Sequence, residues 1–319
     1  MLRWTNLSQV PAGFGPSVVT LGNFDGVHRG HRAVLGAVVE QARATGARAV
    51  AVTFEPHPVA VLHPERAPQI ITGPDHRLAL LEGTGLDAVL VMEFTRELAA
   101  WTPEQFVRTV FVEALGARVV VVGKDTRFGV RNSGDVTTLR MLGREHGFEV
   151  LTMEDLGGEV RWSSSRVREL VAAGDVSGAA EILGRPHRVS GTVVHGDHRG
   201  RELGYPTANL GPVVSGLVPA DGVYAGWLLR PGLPADHPDS TMPAAVSIGT
   251  NPTFDGTQRR VEAYVLDRTD LDLYGEDVAL EFVERLRPTE RYDSIEALLE
   301  QMAEDVERCR AVLSSIVPS

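Results

Sequence analysis

The spacing of apolar runs in this chain changes once, at Arg185 and Pro186. Upstream, short β-rich runs alternate with helical patterns; downstream, such runs follow one another with only Gly, Pro and Asp clusters between them. Alternation calls for parallel strands joined by crossover helices, whereas back-to-back strands pair antiparallel through turns. This change of character indicates two domains, 1–184 and 185–319, as suits a length of 319 residues.

In the first half, strands are expected at Ser17–Leu21, Ala49–Thr53, Ala88–Met92, Arg118–Val122 and Glu149–Met153, and helices at Gly30–Thr45, Pro74–Gly83, Thr102–Ala114 and Val136–His146. Thr102, Pro103 and Gln105 make a strong helix start: an N-cap, a proline at the first helical position and a capping-box glutamine. Continuously apolar strands between helices indicate a parallel sheet covered on both faces, with ligands beyond the carboxyl ends of its strands. In the second half, runs at His187–Val194, Gly222–Arg230, Ala244–Ile248, Arg259–Leu266 and Val278–Arg285 indicate a small antiparallel barrel or sandwich. Arg230–Pro243, with four prolines, is expected as a solvent loop. The closing segment Ser294–Leu313 carries Ile295, Leu298, Leu299, Met302, Val306 and Val312 at helical spacing, a stripe suited to cover the barrel.

Composition narrows the chemistry. No run approaches the roughly 18 apolar residues of a membrane helix, MLRWTNLSQV lacks the order of a secretory signal, and Cys309 is the only cysteine. A reduced, cytoplasmic protein is expected. The net charge of −11 disfavours a broad surface for nucleic acid or anionic lipid. Lys124 is the single lysine and is followed by Asp125, so there is no Walker A loop. Any phosphate chemistry must use backbone amides, hydroxyls, arginine, histidine or metal.

The stretch Thr20–His31 reads TLGNFDGVHRGH, directly after the first strand and opening the first long helix. Gly22, Gly26 and Gly30 permit tight turns and close approach of a ligand, and amides at the helix N-terminus favour an anion. His28 and His31 would then stand beside the same phosphates. The stretch resembles the GxFDGxHxGH signature of HxGH nucleotidyltransferases, which implies an α/β Rossmann-like domain, nucleotide contacts from Gly22, Phe24, Asp25 and Gly30, and charge stabilisation by His28 and His31. A phosphate acceptor, its second pKa being about 6, needs no strong general base; the α-phosphate and the departing pyrophosphate need charge stabilisation.

Ser163–Arg168 reads SSSRVR just before a helical pattern, and hydroxyls with an arginine at a helix start form a phosphate clamp. The segment resembles the SSTxIR of bacterial FAD synthetases, with Ser165 and Val167 as conservative departures, and implies binding roles for Ser163, Ser164, Ser165 and Arg168. Gly123–Gly129, GKDTRFG, matches a third segment of that family through Asp125, Arg127, Phe128 and Gly129, with Thr126 where a bulky residue is usual. Phe54, Phe106 and Phe128 are candidates to stack on a flavin ring.

The second half carries its own signature. Gly200–Leu210 reads GRELGYPTANL, and the hydroxyl of Thr207 and the amide oxygen of Asn209 are neutral ligands able to share one Mg²⁺ with ATP phosphates. This resembles the PTAN segment of riboflavin kinases, with Gly204 and Pro206 in place. Further matches to that family are GVYAG at Gly222–Gly226, VSIGTNPTF at Val246–Phe254, VEAYVLD at Val261–Asp267 and DLYGEDVALEFVERLRP at Asp272–Pro288. Glu262 alternates with apolar Val261 and Ala263, and a carboxylate so placed suits the general base that an attacking alcohol requires. The resemblance assigns that role to Glu262.

Together these segments resemble, in order and over nearly the whole chain, the bifunctional bacterial riboflavin kinase/FAD synthetases. That implies phosphorylation of riboflavin in a C-terminal flavokinase barrel, then transfer of AMP from ATP to FMN in the N-terminal domain. ATP with Mg²⁺, riboflavin, FMN and FAD are the expected ligands, with no nucleic acid or membrane partner; oligomeric state stays open. The alternatives are adenylylation or cytidylylation of another small phosphate, a monofunctional kinase whose N-terminal activity differs or is lost, and a flavin-binding regulator without turnover.

Overall fold

The computed structural model describes residues 1–154, 162–196, 204–253 and 256–316, with backbone alone at 251–253 and 256–258. Gly200, Arg201 and Phe254 of the motifs lie outside the described residues or side chains. Two compact units form, one from Met1–Pro68 with Pro74–Ser163, the other from Gln69–Gly73 with Ser164–Ser319.

The first unit runs β1 Leu2–Trp4, β2 Ser17–Leu21, α1 Arg29–Thr45, β3 Arg48–Glu55, α2 Pro58–Leu62, α3 Pro74–Glu82, β4 Ala88–Glu93, α4 Arg96–Ala99, α5 Pro103–Phe106, β5 Ala117–Gly123, α6 Val136–His146 and β6 Glu149–Met153. Its sheet has the order β1-β4-β3-β2-β5-β6, with every pairing parallel. The apolar strands are continuous because both faces are buried. Val19, Val50, Val52 and Val120 pack with Phe106, Phe111 and Leu139 on one side. Val18, Ala51, Val89 and Val121 pack with Leu35, Val38 and Leu81 on the other. Each such side chain contributes roughly 1.5–3 kcal/mol on burial.

The expected strands and long helices of this unit are present. Thr102 caps α5 as anticipated, its Oγ1 accepting from the Gln105 amide at 3.1 Å. The anticipated single helix to Ala114 instead changes at Val107 to π-type turns, the Leu115 amide bonding back to Val110. The short elements β1, α2 and α4 had no periodicity long enough to announce them.

The second unit runs α7 Ser164–Ala173, α8 Val176–Leu183, β7 His187–Val194, β8 Thr207–Leu210, β9 Gly222–Leu229, β10 Thr241–Thr253, β11 Gly256–Val265, β12 Asp277–Arg287 and α9 Ile295–Leu313. The strands close an antiparallel barrel of order β10-β11-β8-β7-β12-β9, which settles the barrel against the sandwich. Alternate residues fill it, among them Val189, Leu210, Tyr224, Ile248, Ala263 and Phe282. Val176 of α8 joins this core.

Two readings shift. Thr241–Pro243 belong to β10 rather than to the proline-rich loop, with Pro243 opposite Trp227 and Met242 buried. The anticipated stripe of α9 holds in part: Val306 and Val312 pack with Trp227 and Leu286, but Ile295 is 61% exposed, and the deepest positions are Asp305, Cys309 and Leu313. An ion pair accounts for the buried Asp305. Arg287 of β12 grips Asp305 with Nη2 2.7 Å from Oδ2 and Nε 2.9 Å from Oδ1, which draws that face of the helix onto the barrel.

Candidate active sites

In the first unit, the chain leaves β2 at Gly22 and enters α1 after His28. A Cβ on Gly22 would lie 2.9 Å from the Phe24 ring, so only glycine lets Phe24 fold back there. Phe24 is buried, with φ 49°, and Val27 has φ 38°. Left-handed backbone at such residues costs of order 1–3 kcal/mol each and clusters at ligand clamps.

His28 is the N-cap of α1. Its Nδ1 accepts from the His31 amide at 3.2 Å, which places the ring proton on Nε2. The two imidazoles stack with centroids 3.7 Å apart and 18° between planes, and Phe24 meets His31 edge-on at 5.3 Å. A Cβ on Gly30 would stand 3.0 Å from His28 Cε1, so the third motif glycine makes room for the pair. Burial, and then the neighbouring His28, hold the His31 pKa well below the ordinary histidine value, so this imidazole is neutral near pH 7. Asp25 is buried beside them in the loop.

A cleft of about 880 Å³ opens at the carboxyl ends of the parallel strands. It runs from Gly22 and Asn23 after β2, past Phe54 of β3, to Asp125 and Phe128 after β5. Phe54, Phe106 and Phe128 all line it, Phe106 lying 6.3 Å from each of the others. Phe106 and Phe128 are also core residues, whereas Phe54 is half-buried. Thr126 lines the cleft as well, so the departure from a bulky residue widens it locally.

Two lining residues escaped the sequence reading. Phe94 packs edge-on against Phe54 at 5.3 Å, and His57 lies 3.2 Å from the Asn23 side-chain amide. The His57–Pro58 step at a helix start was the one available signal for His57, whose Nδ1 caps α2 at the Val59 amide; Phe94 had none.

The serine and arginine segment divides between the units. Ser163 ends the first, where the neighbouring Trp162 carries its carbonyl oxygen 3.7 Å from a Cβ position on Gly30 and its ring 5.6 Å from the Arg29 guanidinium. Ser164, Ser165 and Arg168 open α7 in the second, where Arg168 Nε donates to the Gln69 carbonyl at 2.7 Å.

In the barrel, β8 and β11 pair so that Glu262 faces Asn209 and Tyr264 faces Thr207. Residues directly opposite in such a ladder share a face. Ala208, Leu210, Val261 and Ala263 fill the interior, which puts Thr207, Asn209 and Glu262 together on the outer face. Asn209 Nδ2 donates to the Thr207 hydroxyl at 3.3 Å. Gly196 closes over this pair, since a Cβ there would fall 2.6 Å from Asn209 Nδ2. Gly204, at φ 86°, makes the turn into Tyr205 and Pro206. Pro206 and Thr207 also line a smaller cavity with Arg268 and with Tyr274 of the segment Asp272–Pro288.

Thr207 and Asn209 offer neutral oxygens, and among the described residues no group of three or more His, Cys, Asp or Glu is placed to hold a metal. Such a donor set fits a Mg²⁺ ion that keeps phosphate and water oxygens for most of its shell.

Residues 12–166 match the family described as FAD synthetase, and residues 183–313 the family described as riboflavin kinase. The bifunctional riboflavin kinase/FMN adenylyltransferase of Escherichia coli (strain K12) is 37% identical over 301 residues, covering 94% of this chain and 93% of that protein. That of Listeria monocytogenes is 32% identical over 317 residues, covering 98% and 95%. A crystal structure of a macrolide-efflux protein from Streptococcus pneumoniae superposes with a TM-score of 0.85 at 31% identity, covering 97% of this chain and 98% of that one. From it we take the fold; no helix among the described residues here is long and apolar enough to cross a membrane.

Proposed function

We proceed from the fact that this chain belongs to the family of bifunctional riboflavin kinase/FMN adenylyltransferases, and we propose how its residues divide the work. The protein phosphorylates riboflavin to FMN and transfers AMP from ATP to FMN, giving FAD and pyrophosphate. We assign the second reaction to 1–184 and the first to 185–319.

For adenylyl transfer, an FMN phosphate oxygen attacks the α-phosphorus of ATP and the bond to the β-phosphate bridging oxygen breaks. The nucleophile is largely ionised at neutral pH, so the site's task is to stabilise charge on the α-phosphate and pyrophosphate. His28, protonated at Nε2, and neutral His31 supply polar N–H groups at the N-terminus of α1, where backbone amides also favour an anion. Gly22, Phe24, Asp25 and Gly30 shape this nucleotide site, Asp125 and Phe128 belong to the cleft for FMN, and Ser163, Ser164, Ser165 and Arg168 bind phosphate. The stacking of two motif histidines at a helix start, at the carboxyl edge of the sheet, carries this reading.

For the kinase, Glu262 accepts the proton of the terminal ribityl hydroxyl as that oxygen attacks the γ-phosphorus and ADP leaves. Its register with Asn209 supports the role. Thr207 and Asn209 hold Mg²⁺ with ATP; when bound, the ion neutralises charge on the phosphates. A cytoplasmic setting belongs to the same proposal, supported by a sole cysteine, Cys309, that is buried as a free thiol.

Incubation of the purified protein with riboflavin, ATP and Mg²⁺, with the flavins resolved by chromatography, tests the whole scheme. FMN appears first and FAD follows with pyrophosphate. Absence of FMN removes the kinase assignment, and FMN without FAD removes the N-terminal one.

A further inference from the structure

The left-handed turn at Phe24 and Val27 needs support from outside the loop. It begins with the Gly22 amide donating to the Val52 carbonyl at 3.1 Å. The next carbonyl, that of Asn23, accepts twice: from Thr53 Oγ1 at 3.2 Å and from Arg77 Nη1 at 3.4 Å. Arg77 comes from α3, is only 5% exposed, and sets Nη2 2.6 Å from Glu55 Oε2.

An ion pair with Glu55 does not by itself require a buried guanidinium, because the Glu55 side chain is 37% exposed. Arg77 Nε is buried with no hydrogen-bond partner, so the arrangement spends hydrogen-bonding capacity to keep the fork against a neutral backbone oxygen. A trans peptide is planar, so holding the Asn23 oxygen toward Arg77 and Thr53 sends the Phe24 N–H the opposite way and fixes the peptide plane on which Phe24 turns.

We propose that Arg77 is a positioning residue for adenylyl transfer, locking the Asn23–Phe24 peptide so that the loop and the imidazole pair at its end are in their ATP-binding arrangement before nucleotide arrives. The proposal rests on the N-terminal unit being the adenylyl-transfer site. Without the lock, the competent loop conformation is a fraction of the population, and apparent affinity falls by that fraction while saturating ATP restores the rate.

The test is FAD formation from FMN over a range of ATP concentrations, with circular dichroism as the control of folding and riboflavin phosphorylation on the same samples as the control of protein amount. Arg77→Met raises the KM for ATP about tenfold with kcat kept within about twofold. Arg77→Lys, which keeps a donor and a charge, recovers most of the change. Thr53→Val, which removes the other donor to the same carbonyl, shifts KM in the same direction by less. The kinase rate is unchanged in all of them. An unchanged KM in Arg77→Met, whatever happens to kcat, leaves Arg77 a purely structural residue and overturns the proposal. Should Arg77→Met make too little FAD for a KM to be measured, an unchanged KM in Thr53→Val overturns it. Wild-type protein that makes no FAD removes the reaction assignment and the proposal together, whereas an unchanged KM removes the proposal alone.

Discussion

In the first unit the imidazoles stand past the end of a parallel strand, on a turn that needs positive φ at Phe24, Gly26 and Val27, room beside Gly22 and Gly30, and a helix cap. In the second, Glu262 and Asn209 face each other within an antiparallel ladder and need only its register. A ladder fixes side chains through many backbone hydrogen bonds, so single substitutions in it remove chemistry and leave geometry standing. A strained loop persists only where surrounding groups hold it, so substitutions that never touch substrate should still misplace its reactive groups.

The largest test of that contrast is Glu262→Ala. Riboflavin phosphorylation should fall about 10³-fold, the range of a lost general base, with FAD formation from added FMN unaffected. A comparable fall in both reactions from well-folded protein would end the two-site scheme. Next comes the converse: His28→Ala combined with His31→Ala should lower FAD formation about 10²-fold and spare the kinase, read from the same flavin separation.

A smaller effect separates loop from ladder. Gly30→Ala adds a Cβ 3.0 Å from His28 Cε1 and should slow FAD formation by roughly three- to tenfold through displacement of the ring. A rate equal to wild type would show that the pair tolerates movement. The smallest effect is in stability. His31 is held neutral in the folded state, so the unfolded chain binds the extra proton as pH falls below the ordinary histidine value of about 6.5. Folded-state stability should therefore drop from pH 7 to pH 5, and by less in His31→Gln. Parallel Tm curves for the two proteins would contradict the depressed pKa.

Much of this was legible in advance where the signal is local. TLGNFDGVHRGH puts its glycines, histidines and helix start within one continuous stretch, and the structure assembles His28, His31, Gly22 and Gly30 at one point. The long strands and helices of both halves were readable because burial on one or two faces imposes period and composition. The strand β8 was not, since Thr207–Leu210 is short, and it became a strand only by pairing with β7 and β11. Asp305 was invisible as an inward residue because its partner, Arg287, is on another element. Phe94, His57 and Arg77 carry no motif of their own and matter through what lies beside them.

The amino-acid order alone determined the two-part architecture and put the paired histidines at a helix start, because hydrophobic period, turn chemistry and residue type act over a few neighbours. Tertiary structure decided which atoms meet. The closure of the barrel set Glu262 across from Asn209, burial beside His28 holds the His31 pKa down, and α3 brought Arg77 to the Asn23 carbonyl. Distance, burial and register between segments far apart in the chain are consequences of packing, and no short window of sequence contains them.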